Sequence, residues 1–88
     1  MDIRFTGRFS KDLDKIDQAS VKKAISDIIK EAEKAARLSE IKGIKKLKGH
    51  STAYRIRSGD YRIGFFMEND TIEFARVAHR KDIYKIFP

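Results

Sequence analysis

The sequence predicts an α+β domain. An N-terminal strand, an αα-hairpin and a three-stranded antiparallel meander form one sheet, with the helices packed on one face. Three observations predict it. Residues 21–32 repeat apolar side chains at helical spacing. Residues 54–79 alternate apolar and polar side chains. Those alternating runs break at Ser58-Gly59 and Asn69-Asp70, dipeptides suited to tight turns. The length of 88 residues suits a single domain, 1–88, with one modest core and no internal repeat.

Each element has a local reason. Met1 to Thr6 sets Ile3 and Phe5 against Asp2, Arg4 and Thr6, the alternation of a half-buried strand, and Gly7 ends it. Ser10 is a suitable N-cap for a short helix over Lys11 to Asp17 that carries Leu13 and Ile16 on one face. Ser20 is a suitable cap for the next helix. There Val21, Ala24, Ile25, Ile28, Ile29 and Ala32 follow the i, i+3, i+4, i+7, i+8 spacing, with Ala35 and Ala36 extending the stripe. The short connection makes the two helices neighbours. Ser39 to Thr52, with Gly43, Gly49 and a lysine cluster, reads as a loop pinned by Ile41, Ile44 and Leu47.

The meander follows. A two-residue loop at Ser58-Gly59 sets Arg57 opposite Asp60, Ile56 opposite Tyr61 and Arg55 opposite Arg62. Tyr54, Ile56, Tyr61 and Ile63 then share the core face, while Arg55, Arg57, Asp60 and Arg62 share the other. The Asn69-Asp70 turn pairs Phe65 with Phe74, Ile63 with Arg76 and Arg62 with Val77. This register leaves Arg76 among apolar side chains, so either its guanidinium snorkels to an edge or a bulge shifts the register. It also puts Glu73, Val77 and His79 on the arginine face, with Ala78 on the core face. The tail from Arg80 to Pro88 has room for one helical turn beside the sheet.

Charge is unevenly distributed. The formal net charge is +7; residues 42–62 hold seven basic side chains against Asp60 alone, whereas the flanking segments are close to balanced. Like charges facing each other across a strand pair are destabilising. Such a concentration, with Lys46 and Lys48 leading into Arg55 and Arg57, fits a polyanionic partner, nucleic acid or an acidic protein segment. A solvated lysine loop is the alternative for the lysines.

Other classes are excluded or disfavoured. There is no Cys, hence no disulfide framework, thiolate zinc site or thiol nucleophile. Two histidines, His50 and His79, are too few for a histidine metal site, and no carboxylates cluster as two-metal nucleases require. No apolar run approaches the ~18 residues of a membrane span, and the N-terminus has no signal-peptide core. A cytoplasmic protein with no cofactor, no metal and no membrane association is expected.

The arginine face suits phosphate. Guanidinium groups bind two oxygens at once and are always charged. Held in place, they stabilise the extra negative charge of a pentacovalent phosphate more than the ground state. Cleaving RNA further requires a base for the 2′-hydroxyl and an acid for the departing 5′-oxygen. His79 and Tyr84 are the candidates, with Tyr84 needing cationic neighbours such as Arg55, Arg57 and Arg80 to lower its pKa. A strand-end histidine capping backbone groups and an aromatic packing the tail onto the sheet are the structural alternatives.

Leu47-Lys48-Gly49, Tyr54-Arg55-Ile56-Arg57-Ser58-Gly59-Asp60-Tyr61-Arg62 and Val77-Ala78-His79-Arg80-Lys81-Asp82-Ile83-Tyr84 closely resemble the signature of the RelE/ParE superfamily, toxins of bacterial type II toxin–antitoxin systems. The resemblance spans the whole chain and implies a RelE-like fold. It implies a metal-independent, ribosome-dependent endoribonuclease that enters the ribosomal A site and cuts mRNA. A ParE-like DNA gyrase inhibitor, or an inactive homologue that only binds antitoxin, are the alternatives. The partners it implies are mRNA, the ribosome and a cognate antitoxin, expected to be acidic. It implies phosphate contacts for Arg55 and Arg57 and transition-state stabilisation for Arg62. For Arg80 it implies acid or charge-stabilising work, and for Tyr84 a base or orienting role. His79 sits where some relatives have a catalytic histidine. Arg55 and Arg57 stand where some RelE members have lysines, so neither readily serves as base.

Overall fold

The computed structural model describes residues 1–88. In chain order it contains β1 (Asp2–Phe5), α1 (Gly7–Asp14), α2 (Ala19–Lys34), a 3-10 turn at Leu38–Glu40, β2 (Ile44–Lys46), β3 (Ala53–Ser58), β4 (Tyr61–Glu68), β5 (Thr71–His79) and α3 (Ile83–Ile86). The sheet has five strands in the order β1-β5-β4-β3-β2, with β1 parallel to β5 and every other pair antiparallel. The α+β fold is therefore as expected, with one added strand. Ile44–Lys46, read as loop, forms an edge strand on β3; three residues are too few to show an alternation.

The αα-hairpin covers one face. Ile25 and Ala32 of α2 are buried against Ile56, Ile63, Phe65, Ile72, Phe74 and Val77 of the sheet, with Phe9 of α1 filling the end of the core. Helix α1 starts earlier than Ser10 suggests. Thr6 is its N-cap, and its Oγ1 accepts from the Phe9 N–H at 3.1 Å while donating to the Ala75 carbonyl at 2.8 Å. One side chain thus starts the helix and ties it to β5. Helix α2 starts at Ala19, ahead of Ser20, and its N-cap Gln18 makes no side-chain capping bond.

Two registers differ from expectation. In the β3–β4 hairpin, Ser58 pairs with Tyr61, Arg57 with Arg62, Ile56 with Ile63 and Arg55 with Gly64. The loop is Gly59-Asp60, not Ser58-Gly59. Only Gly59 has positive φ (+58°), and a turn with one left-handed residue in the first central position requires glycine there. The slip is by two positions in the pairing, so the faces are unchanged. The Asn69-Asp70 turn is as expected, both residues having positive φ.

The second difference is a bulge. Phe65 pairs with Phe74 but Gly64 pairs with Arg76, leaving Ala75 as the extra residue. The two strands keep their antiparallel pairing on either side, but every β5 residue beyond Ala75 changes face. Val77 turns into the core, 3% exposed, and Arg76 leaves it. Ala78, expected inside, now pairs with Arg62 and joins the opposite face.

The bulge is held from outside the sheet. Strand β1 ends at Phe5, so β5 beyond Phe74 has no strand on that side. Asp12 of α1 fills the gap. Its carboxylate accepts from the Val77 N–H at 3.0 Å and from Arg76 Nε and Nη2 at 2.8 and 3.1 Å. Asp12 is the one charged residue in the buried set, 8% exposed. Its hydrogen bond raises the pKa of Arg76, locking the guanidinium as a cation. Asp12→Ala should leave a buried amide and a half-buried arginine unpaired and destabilise the fold by about 3 kcal/mol. Urea unfolding should show a lower midpoint at unchanged slope.

A cationic cavity on the outer face

On the face away from the αα-hairpin, Gly43, Lys45, Arg55, Arg57, Arg62 and Tyr84 line a cavity of about 290 Å³. Alternation along β2, β3 and β4 brings the four cations together: Lys45 pairs with Arg55, and Arg57 with Arg62. No acidic side chain lines the cavity. Gly43 closes one side. Its φ is +75°, its carbonyl accepts from the Arg57 N–H at 3.0 Å, and an added Cβ would stand 3.3 Å from the Arg57 carbonyl oxygen. The glycine lets the chain before β2 press against β3.

Tyr84 reaches this cavity from α3. Its hydroxyl accepts from Arg55 Nη2 at 3.5 Å, and the Arg55 guanidinium carbon lies 4.5 Å from the centre of its ring. The phenol is 74% exposed. The hydrogen bond from Arg55, and then the charges of Arg55, Lys45 and Arg62, hold its pKa below the usual value near 10. Arg62 is also held. Its Nη1 donates to the carbonyls of Gly59 at 2.8 Å and Tyr61 at 2.9 Å, which fixes the guanidinium beside its own turn.

The other candidates lie elsewhere. Arg80 is exposed at the rim of the β3–β4 turn, where its N–H donates to the Asp60 carbonyl at 2.7 Å and its Nε stands 4.0 Å from the Asp60 carboxylate. His79, expected on the arginine face, is on the opposite one because of the bulge. It pairs with Tyr61, meets that ring edge-on, and faces a separate depression with Gln18 and Ser20 of the α2 end. Its Nδ1 accepts from the Lys81 N–H at 3.2 Å. Lys46 pairs with Tyr54, whose ring stacks on Phe65 in the core, so it too is on the helix side. Lys48 is exposed in the turn after β2 and does not line the cavity. Lys45 takes the place expected for these lysines. Its side of the sheet becomes readable only once 44–46 is seen as a strand, with Ile44 facing the core.

A larger depression of about 480 Å³ beside α2 is lined by Asp27, Lys30, Glu31, Lys34 and Glu40, where three carboxylates outweigh two lysines, the opposite of a polyanion site. The outer cavity alone combines several cations with a phenol whose pKa is lowered. Fold and site together define a small α+β protein whose sheet carries a cationic cavity with a tyrosine at its wall.

Comparison with known proteins identifies the family. The family model described as "ParE toxin of type II toxin-antitoxin system, parDE" matches residues 3–84. Toxin RelE3 of Methanocaldococcus jannaschii is 45% identical over 89 residues, covering all of both chains. The crystal structure of the RelB-RelE antitoxin-toxin complex from Methanococcus jannaschii matches with a TM-score of 0.82 at 44% identity, over 97% of this chain and 99% of that one. The intact E. coli RelBE complex matches with a TM-score of 0.70 at 21% identity, over 89% and 94%, a likeness of fold. The chain belongs to the RelE/ParE superfamily, the toxins of type II toxin–antitoxin systems. No helix is long and apolar enough to cross a membrane.

The Tyr84 environment makes a direct prediction. Arg55→Ala removes the hydrogen bond and the nearest charge that favour the phenolate, so the Tyr84 pKa should rise toward about 10. A pH titration of the tyrosine ring carbons by NMR should show the shift at Tyr84.

Proposed function

We propose that the chain is an endoribonuclease toxin that cleaves mRNA on the ribosome by attack of a 2′-hydroxyl on the adjacent phosphate. The observation that carries this reading is the contact of Tyr84 with Arg55 inside a cavity of four cations. Tyr84, with its lowered pKa, takes the proton of the 2′-hydroxyl. The 2′-oxygen bonds to phosphorus and the bond to the 5′-oxygen breaks, leaving a 2′,3′-cyclic phosphate. Arg57 and Arg62 hold the phosphate oxygens as their charge grows, and the departing 5′-oxygen, its charge offset by Arg62 and by Arg80 at the rim of the turn, takes its proton from solvent. Arg55 tunes Tyr84 and binds the backbone, and Lys45 steers the strand. In this reading Lys48 acts outside the cavity, on flanking phosphates, and Lys46 and His79, both on the helix side of the sheet, take no part.

The relatives whose structures hold RelB with RelE support a second element of the proposal, a cognate antitoxin. An acidic segment over residues 42–62 would neutralise the charge concentration and deny RNA the cavity.

A second reading follows from the family model, which is that of ParE toxins. Under it the cationic face engages DNA gyrase and cuts nothing. Two assays separate the readings: mRNA cleavage on purified ribosomes in EDTA, and gyrase supercoiling with stoichiometric toxin. We expect cleavage inside translated frames and no effect on supercoiling. Arg62→Ala should lower kcat by about 10²-fold or more, as loss of a single fixed transition-state donor does. Undiminished cleavage by that variant would remove Arg62 from the mechanism. If four cations contact phosphates, single-strand RNA affinity should fall with salt at a log–log slope of about −3.

A further inference from the structure

Tyr84 rides on an element too short to hold itself. Helix α3 has four residues, and a single isolated turn is unstable in water because nucleation fixes several residues for one hydrogen bond. Its anchors lie on either side of Tyr84. Ile83 is fully buried and Phe87 is 5% exposed. Both belong to a second apolar cluster, with Ala53 and the bulged Ala75, and Phe66 and Ala78 pack against it. This cluster covers the outer face of the sheet, beside the cationic cavity and opposite the αα-hairpin.

The seat of Phe87 is specific. Its ring lies 5.2 Å from that of Phe66 and directly over Gly64. A Cβ built on Gly64 would stand 2.5 Å from ring atoms Cγ and Cδ2, far inside the ~3.5–4.0 Å of ordinary carbon contacts. Gly64 does not have the positive φ that demands glycine elsewhere, so what it supplies is room. It is also the cross-strand partner of Arg55. Neighbouring positions on two strands thus serve the two ends of one short segment: Arg55 meets the Tyr84 hydroxyl, and Gly64 receives the Phe87 ring.

We propose that Gly64 and Phe87 are positioning residues: the ring seated in the glycine notch pins α3 and holds Tyr84 against Arg55. Its catalytic consequence rests on the reading of Tyr84 as the proton acceptor; the placement of Tyr84 does not. The test uses the full chain with Phe87→Ala, Gly64→Ala and the double variant Gly64→Ala/Phe87→Leu, in which the smaller side chain yields the space the methyl takes. Each is followed by the NMR titration of the Tyr84 ring and by kcat and KM for mRNA cleavage.

Both single variants should move the Tyr84 titration toward that of a free tyrosine. They should lower kcat between about ten- and a hundred-fold, the loss typical of a misplaced catalytic group, with KM changed less than about three-fold. The double variant should restore the titration and most of kcat. A Tyr84 titration unchanged in Phe87→Ala overturns the proposal, as does failure of the double variant to improve on Gly64→Ala. A titration that moves in a protein that never cleaves RNA upholds the latch and rejects the ribonuclease reading instead.

Discussion

The structure turns on one buried carboxylate. Strand β5 is longer than its parallel neighbour β1, and beyond Phe74 its edge would be open. Asp12 closes that edge with three hydrogen bonds, to the Val77 amide and to two nitrogens of Arg76. Thr6 takes the Ala75 carbonyl in the same place. Together they satisfy the backbone groups that a bulge leaves without strand partners. The bulge they secure decides which way half of β5 points. Val77 enters the core, Ala75 and Ala78 support the outer cluster, and His79 goes to the far side of the sheet.

What was legible in the sequence follows from how register errors propagate. Strand faces repeat every two residues, so a hairpin mispaired by two positions keeps its faces. The loop at Gly59-Asp60 moves Arg57 opposite Arg62 without moving any arginine off the outer face. A bulge adds one residue and inverts everything after it. Arg76 among apolar side chains is the visible trace of that inversion, but its partner, Asp12, lies 64 residues away on a helix whose cap, Thr6, stands four residues before its most evident capping serine, Ser10. The long-range pairing that resolves the misfit has no local signature. The face of His79 depends on that pairing alone, and the face of Lys45 is hidden because β2 is too short to show its alternation.

The repulsion within the arginine cluster is tolerated by means that do not neutralise it. Arg62 is engaged by two backbone carbonyls and Arg55 by the Tyr84 hydroxyl, all uncharged acceptors. Asp60, the one acidic side chain of this charged stretch, faces Arg80 instead. The cavity therefore keeps its full positive potential while its side chains are held by hydrogen bonds. Preorganisation of this kind is what a site for a developing phosphate charge requires, since donors already in place cost no reorganisation when the charge appears. An antitoxin able to cover the same face would find an equally undiluted potential.

Stability and chemistry are divided between the two faces of one sheet, and β5 joins them. The main core under the αα-hairpin uses the inward residues of three central strands and makes no demand on the outer side chains. Those positions are free to carry like charges that a smaller or one-sided fold would find too costly. The outer face still needs an anchor for Tyr84, and it obtains one from a glycine in β4 and from an apolar cluster that Ala78, turned outward by the bulge, packs against. The same carboxylate that closes the sheet edge thereby reaches the site: Asp12 fixes the bulge, the bulge turns Ala78 outward, and Ala78 packs against the cluster that seats the segment bringing the phenol to Arg55. A change at Asp12 would be felt at Tyr84 through packing, although Asp12 does not line the cavity.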